Sequence, residues 1–189
     1  MNSNQIIRGT IGVCAALVLV MGINGAELKA DQPQTGEKIA DFELKDLNGK
    51  AHKLSKLNES DQVVLLVLRG YPGYQCPLCS KQMSSFLSKA SAFDEASAKV
   101  VMIYPGAADS IEQFASEFIK GQEFPENFVF LIDPDYQFLV ANDLRWDAEK
   151  ETSYPSTFVI GKDGVVKYAK ISKTHGGRTS PTEILAELK

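Results

Sequence analysis

Strongly apolar runs alternate with amphipathic segments along most of the chain, and this order predicts strands and helices. Residues 63–68, 99–104 and 128–132 are rich in β-branched and other apolar side chains, which predicts strands buried on both faces. Apolar residues recur at helical spacing after Pro77 and again from Ile111 to Ile119. Such alternation of strand and helix predicts a largely parallel sheet with helices on both of its faces.

Turn and cap signals add further elements at both ends of this pattern. Residues 41–55 place alternating apolar residues around Asn48-Gly49, which predicts an N-terminal β-hairpin, and residues 156–169 predict a second hairpin. Ser180-Pro-Thr-Glu183 has the sequence of a capping box and predicts the start of a last helix. The predicted fold class is therefore α/β, with a mixed central sheet flanked by helices and an N-terminal β-hairpin.

The first 30 residues have a different character from the rest. Arg8 precedes a stretch of apolar and small residues, 10–23, that is short for a membrane span. This pattern predicts a signal peptide that is cleaved after Ala26 or Ala30, with an uncleaved N-terminal anchor as the alternative. We therefore expect an exported protein, periplasmic or extracytoplasmic, that is attached to the membrane by its N-terminus in the second case.

The rest of the chain is expected to form one domain. Residues 31–38 are polar and predict a linker, and residues 39–189 are long enough to bury a sizeable core. With 44% hydrophobic and 23% charged residues, the composition is that of an ordinary globular protein. The formal net charge of −4 argues against nucleic acid as a partner.

Cys76-Pro-Leu-Cys79 is the segment with the clearest chemistry. It follows a predicted strand and opens a predicted helix, and Pro77 suits the first helical position, which makes Cys76 the expected N-cap. Unpaired N–H groups and the helix dipole at this end favour a thiolate and lower its pKa. We therefore predict Cys76 as the nucleophile and Cys79, one turn further along, as the resolving thiol.

Two other roles for this pair of cysteines are less well supported. A structural disulfide in so small a ring removes little entropy from the unfolded chain. A zinc site needs more ligands, and the chain has no second CxxC, while His52 and His175 are far apart. No Gly-rich phosphate loop is present either, so no metal and no cofactor are expected.

With its motifs in this order, the chain resembles the thioredoxin-fold superfamily. More narrowly, it is similar to the alkyl hydroperoxide reductase/thiol-specific antioxidant family, which is peroxiredoxin-like, over roughly residues 35–188. The resemblance implies a thioredoxin-like fold and a redox-active dithiol at Cys76 and Cys79. The segments that carry it are residues 41–50, 69–79, 133–136 and 154–164.

Two positions depart from the peroxiredoxin pattern. Peroxiredoxins usually have Thr or Ser three positions before the reactive cysteine, where this chain has Gly73, and an Arg ahead of the strand that begins at Thr157, where it has Pro155. The likeness to thioredoxins implies instead a cis bond before Pro155, beside which the backbone pairs with an extended partner. The expected substrate-binding residues near the thiols are Pro155, Tyr154, Arg69 and Tyr74.

These features favour an exported thiol–disulfide oxidoreductase that uses a CxxC dithiol/disulfide cycle. The resemblance implies one alternative, a thiol-dependent peroxidase (an antioxidant peroxiredoxin) that reduces hydrogen peroxide or alkyl hydroperoxides. A non-enzymatic redox sensor or carrier domain is the other alternative. Pro155 and Gly73 place disulfide exchange first. Either enzyme needs a peroxide or disulfide substrate and a reducing thiol partner protein, because the dithiol must be restored after each cycle.

Overall fold

A computed structural model describes residues 31–188 of the chain, so the predicted leader lies outside the described residues. In chain order the strands are β1 (Glu43–Lys45), β2 (Ala51–Lys53), β3 (Gln62–Val67), β4 (Ala98–Gly106), β5 (Phe128–Pro134), β6 (Ser156–Ile160) and β7 (Val166–Ile171). The helices are α1 (Leu54–Leu57), α2 (Pro77–Leu87), α3 (Ala90–Glu95), α4 (Ile111–Phe118), α5 (Gln137–Ala141) and α6 (Pro181–Glu187).

The strands form one mixed sheet in the order β2-β1-β5-β4-β3-β6-β7. Strands β3, β4 and β5 run parallel at its centre, while β6 and β7 on one side and β1 and β2 on the other are antiparallel to their neighbours. This arrangement confirms the predicted fold class and the N-terminal hairpin. The chain enters and leaves the parallel strands through helices, as parallel pairing requires.

The two faces of the sheet are buried under different helices. Alternate residues of β3 point to opposite faces, as in any strand. Leu66 lies in one apolar cluster with residues of α2, α3, α4 and α6, and Leu65 lies in another with residues of α1 and α5. Both faces of β3 are thus buried from solvent, which explains why its sequence is continuously apolar.

Two local departures from the predicted elements have simple causes. The second strand of the first hairpin was expected to run through Ser55, but it ends at Lys53, because Leu54 and Leu57 both turn into the core as one face of the short helix α1. The single amphipathic segment expected after Pro77 is two helices. The Ser88 hydroxyl, just past the end of α2, donates to the Ser85 carbonyl at 2.7 Å, a local bond of the kind that competes with helix continuation.

The N-terminal part of the described chain lies against the second hairpin. Gly36 N–H donates to the Val166 carbonyl at 2.8 Å, and Ile39 N–H donates to the Gly164 carbonyl at 3.2 Å.

No helix within residues 31–188 has the length and apolar character needed to cross a bilayer.

The end of β3 is tied down by the segment that precedes β6. The Ser153 hydroxyl donates to the Leu68 carbonyl at 2.8 Å, and the Thr152 hydroxyl donates to the Arg69 carbonyl. Gly70 follows with φ +66°, and a Cβ at that position would lie 1.9 Å from the Pro105 carbonyl oxygen. Only glycine fits where the chain leaves the sheet and turns toward the two cysteines.

Candidate active site

Cys76 caps the N-terminus of α2, as predicted. Its backbone is extended, with φ −74° and ψ 111°, and Pro77 is the first helical residue. The Cys76 carbonyl accepts from the N–H groups of Cys79 and Ser80, both at 3.1 Å. Proline at this position costs no hydrogen bond, because the first N–H groups of a helix have no partner within it.

Both sulfurs are nearly removed from solvent, and the two cysteines are free thiols in the structure. Cys76 is 2% exposed and Cys79 is 1% exposed. The backbone N–H of Arg69 donates to Cys79 Sγ at 3.4 Å, which joins the end of β3 to the first turn of α2. A reagent that reaches either sulfur must therefore be small, or the surroundings must move.

Arg178 is the functional residue that sequence reasoning missed. Its Nη2 lies 3.2 Å from Cys79 Sγ and 3.8 Å from Cys76 Sγ. Its Nη1 donates to Gln82 Oε1 at 2.9 Å, and its Nε donates to the His175 carbonyl at 3.1 Å. Arg178 is about a hundred positions from the cysteines in sequence, and only the return of the chain from β7 to α6 brings it beside them.

The two thiols have opposite acid–base properties. A hydrogen bond from the Cys79 thiol, followed by the Cys79 N–H and the charge of Arg178, lowers the pKa of Cys76 to about 5, although burial opposes the shift. Burial, together with the neighbouring Cys76, raises the pKa of Cys79. Near neutral pH, these shifts favour Cys76 as the thiolate and Cys79 as the neutral thiol, and the roles of nucleophile and resolving thiol stay predictions.

Arg69 is a buried cation held by several partners. Its side chain is 1% exposed, its Nη1 donates to the Tyr74 hydroxyl at 3.0 Å, and its Nη2 donates to Glu151 Oε2 at 2.8 Å. The Nε of Arg69 is buried without a hydrogen-bond partner within the described part of the chain. The Arg69 side chain also contributes to the low pKa of Cys76.

Tyr154 and Pro155 reach the same end of the sheet but are engaged in the fold. The expectation of a cis bond before Pro155 is wrong, because the peptide bonds of the described residues are all trans. The Tyr154 N–H donates to the Leu144 carbonyl, and the Pro155 carbonyl accepts from the Ser172 N–H, both at 2.9 Å. The backbone groups that were expected to bind an extended partner are thus already paired, and a substrate role for these two residues stays a prediction.

Gly73 lies in the exposed loop between β3 and α2 and brings no hydroxyl to the site. Its φ of +107° is one that residues with side chains rarely adopt. A cationic donor, the guanidinium of Arg178, reaches both sulfurs, whereas the peroxiredoxin pattern has a hydroxyl and an Arg at other positions.

The two histidines are each paired with a carboxylate. His52 Nε2 lies 2.9 Å from Asp46 Oδ2, and His175 Nε2 lies 2.7 Å from Glu151 Oε1. Within residues 31–188, no three His, Cys, Asp or Glu side chains come together in a way that could hold a metal ion.

Comparison with known proteins gives a consistent picture. The model of the AhpC/TSA family matches residues 35–169. Peroxiredoxin Q, chloroplastic, of Oryza sativa subsp. japonica is 30% identical over 135 residues, which are 70% of this chain and 57% of the rice protein. Peroxiredoxin Bcp of Bacillus subtilis is 28% identical over 137 residues, which cover 69% of this chain and 80% of that protein.

A solved structure agrees with these sequence matches. The crystal structure of peroxidoxin BcpB from Mycobacterium tuberculosis superposes with a TM-score of 0.68 at 26% sequence identity. The superposition covers 83% of this chain and 97% of that one. The chain spans little more than half the length of the rice relative.

Proposed function

Since the chain belongs to the AhpC/TSA family, we propose that it is a thiol-dependent peroxidase in which Cys76 reduces a peroxide and Cys79 resolves the product. The observation that carries this proposal is the pair of unlike thiols at the start of α2. The pKa of Cys76 is lowered to about 5, whereas that of Cys79 is raised. A thiolate is the form that attacks, and a neutral neighbouring thiol is ready for the second step.

In the first step, the Cys76 thiolate attacks one oxygen of the peroxide bond. The sulfur–oxygen bond forms as the oxygen–oxygen bond breaks, and the departing oxygen leaves as water or as an alcohol after it takes up a proton. Cys76 is oxidised to a sulfenic acid and the peroxide is reduced. The guanidinium of Arg178, 3.8 Å from Cys76 Sγ, offers a hydrogen bond to the negative charge that moves onto the leaving oxygen.

In the second step, Cys79 loses its proton and attacks the sulfur of the sulfenic acid. The sulfur–sulfur bond forms, and the sulfenic oxygen leaves as water, which gives the Cys76–Cys79 disulfide. A dithiol protein must then reduce this disulfide by exchange, so the cycle requires a reducing thiol partner. No metal or organic cofactor enters these steps.

The relatives and the burial of the site favour a peroxidase over disulfide exchange, which the sequence had placed first. The matched relatives are named peroxiredoxins. Cys76 and Cys79 are at most 2% exposed as residues, which suits a peroxide better than a folded disulfide substrate. The groups of Tyr154 and Pro155 that disulfide exchange was expected to use are paired within the fold.

Peroxide consumption by the reduced protein and two cysteine variants tests this proposal. We expect the wild type to consume hydrogen peroxide rapidly in the presence of a dithiol reductant, and Cys76→Ser to lose the activity. Cys79→Ser should still complete the first step, and one sulfenic acid per chain should persist at Cys76, detected by trapping and mass spectrometry.

Three results would contradict the proposal. If the reduced protein turns over glutathione disulfide quickly and reacts slowly with peroxides, it is a disulfide oxidoreductase. If neither substrate is turned over, a sensor or carrier role is the better account. Retention of activity by Cys76→Ser would show that the nucleophile is wrongly assigned.

We also propose that the protein acts outside the cytosol. The support is the Arg8-led apolar stretch within residues 1–30, which is typical of an export signal. Localisation of the chain of residues 1–189 with a C-terminal tag, compared with the same chain lacking residues 2–30, tests this. Equal recovery of both from the cytosol would contradict it.

A further inference from the structure

The segment between β7 and α6, residues 172–180, carries Arg178 to the thiols without being part of a helix or a strand. We call it the arginine segment. It contains two consecutive glycines, and Gly177 has φ +68°. Because glycine restricts the backbone little, the position of Arg178 must depend on contacts that this segment makes with the rest of the protein.

The segment is held at Thr179, whose hydroxyl lies 2.8 Å from that of Thr157, and at His175. The ring Nε2 of His175 lies 2.7 Å from Glu151 Oε1, and the His175 carbonyl accepts from Arg178 Nε at 3.1 Å. The His175 ring also lies 5.6 Å from the ring of Trp146, measured between centroids. One residue thus binds a carboxylate with its side chain and the active-site arginine with its backbone.

Glu151 is a firm anchor for this contact. Its other oxygen, Oε2, accepts from Arg69 Nη2 at 2.8 Å, and the side chains of Arg69 and Glu151 are only 1% and 13% exposed. Arg69 is fixed in turn at the end of β3, where its backbone N–H meets Cys79 Sγ. The chain of contacts runs from the thiols through Arg69, Glu151 and His175 and back to the thiols through Arg178.

We propose that Glu151 and His175 form a latch that holds Arg178 against both sulfurs, and that these two positioning residues thereby set the reactivity of Cys76. Its kinetic consequence for peroxides rests on the proposed function. The latch itself is a property of the reduced protein. When it is open, the glycines of the arginine segment let Arg178 move away, and the thiolate loses a hydrogen-bond donor and a nearby positive charge.

The exposure of the Glu151 and His175 side chains decides which of the two residues is substituted in the test. Removing the Glu151 carboxylate leaves the buried Arg69 without its ion pair, which is costly and threatens folding. The His175 side chain is 42% exposed. Its removal should therefore lower the fraction of molecules in which the latch is closed, with little effect on folding. His175→Ala opens the latch, and His175→Gln is the conservative variant, because its amide N–H can still donate to Glu151.

The experiment compares His175→Ala and His175→Gln with His52→Ala, in which the other carboxylate-paired histidine is removed from the N-terminal hairpin. The thiolate of the reduced protein is titrated by its ultraviolet absorbance, and the rate of Cys76 oxidation by hydrogen peroxide is measured at neutral pH. We expect the thiolate of His175→Ala to titrate at higher pH and to react about three- to tenfold more slowly, because Arg178 then lies less often beside the reacting sulfur. His175→Gln should stay within about twofold of wild type, as should His52→Ala.

Hydrogen exchange gives a second reading that does not depend on peroxide chemistry. In His175→Ala, the amides of the arginine segment should exchange faster than in wild type, while those of β3 should not change. Unchanged titration and exchange in His175→Ala would overturn the latch, as would equal impairment of His175→Ala and His175→Gln. If the wild type does not reduce peroxides, the proposed function fails, and the titration and exchange results still decide for or against the latch.

Discussion

Two arginines act on the dithiol in different ways. Arg69 is buried and held by Glu151 and Tyr74, so its charge is largely used within the fold. Arg178 directs its guanidinium at the two sulfurs and is held by the Gln82 side chain and a backbone carbonyl. The peroxiredoxin pattern has an Arg ahead of the strand that begins at Thr157. In this chain the cation beside the sulfurs is Arg178, which comes from a different segment.

Replacement of Arg178 should weaken the thiolate directly. Arg178→Ala removes a positive charge that lowers the pKa of Cys76, so this pKa should rise. It also removes a donor beside the reacting sulfur, so the peroxide rate at neutral pH should fall about tenfold. Arg178→Lys should recover only part of the rate, because an ammonium group does not reproduce the planar fork of donors. Stopped-flow oxidation kinetics measure both effects.

Lys81→Ala is the matched control for that prediction. Lys81 is an exposed cation on α2, and its removal should change the rate by less than about twofold, since exposed charges are screened by solvent. An equal loss in Lys81→Ala and Arg178→Ala would mean that general surface charge, and not the contact with the sulfurs, governs the reaction.

Gly70 should tolerate no side chain. Its Cβ would lie 1.9 Å from a backbone oxygen of Pro105, so Gly70→Ala should cost more than about 3 kcal/mol of unfolding free energy. Gly121 also has a left-handed backbone, with φ +78°, but no atom within 4 Å of such a Cβ. Gly121→Ala should therefore cost only about 1–2 kcal/mol. Urea denaturation distinguishes the two, and similar losses would show that the chain near Pro105 relaxes easily.

At the scale of elements, the site depends on where α2 begins and where the chain enters α6. Features encoded by a few adjacent residues were predictable from sequence, such as the cap at Cys76 and the capping box at Ser180. The division between α2 and α3 was not, because the helical spacing of apolar residues continues through it. Arg178 was not predictable either, since its role depends on the path of residues 172–180 across the sheet.

The capping box should make a measurable contribution to α6. The Ser180 hydroxyl accepts from the Glu183 N–H at 3.2 Å, and the Glu183 carboxylate accepts from the Ser180 N–H at 3.4 Å. Ser180→Ala should lower the unfolding free energy by about 1 kcal/mol. Ser84→Ala, at an exposed position within α2, should have an effect within about 0.5 kcal/mol. Chemical denaturation checks both, and no difference between them would indicate that the cap is dispensable.

At the scale of the whole molecule, the low pKa of Cys76 links redox state to stability. The pKa of Cys76 in the folded protein is about 5, below its ordinary value of 9.0, so the thiolate stabilises the folded reduced protein. Because the folded pKa is depressed, this contribution is fully present above the unfolded pKa and is lost as pH falls through about 5. The oxidised protein lacks the titrating thiols. Other groups, including buried Asp133 with its pKa raised to about 6 by burial, titrate in both forms.

The difference in unfolding free energy between reduced and oxidised protein should therefore depend on pH. We expect it to shift in favour of the reduced form by about 2 kcal/mol between pH 5 and pH 7, because only the reduced form carries the Cys76 thiolate. Parallel urea denaturation of the two forms measures this shift. Subtracting the unfolding free energy of the oxidised protein removes the contributions of the groups that titrate in both forms. A difference that is constant over this range would mean that the fold does not stabilise the thiolate.

The pH dependence of the reaction between the reduced wild-type protein and hydrogen peroxide tests the central claim most directly. If α2, Cys79 and Arg178 hold Cys76 as a thiolate, the rate constant should be nearly independent of pH above about pH 6 and should fall only as pH approaches 5. A rate constant that keeps rising to about pH 8.5, as it does for an ordinary cysteine, would contradict the account.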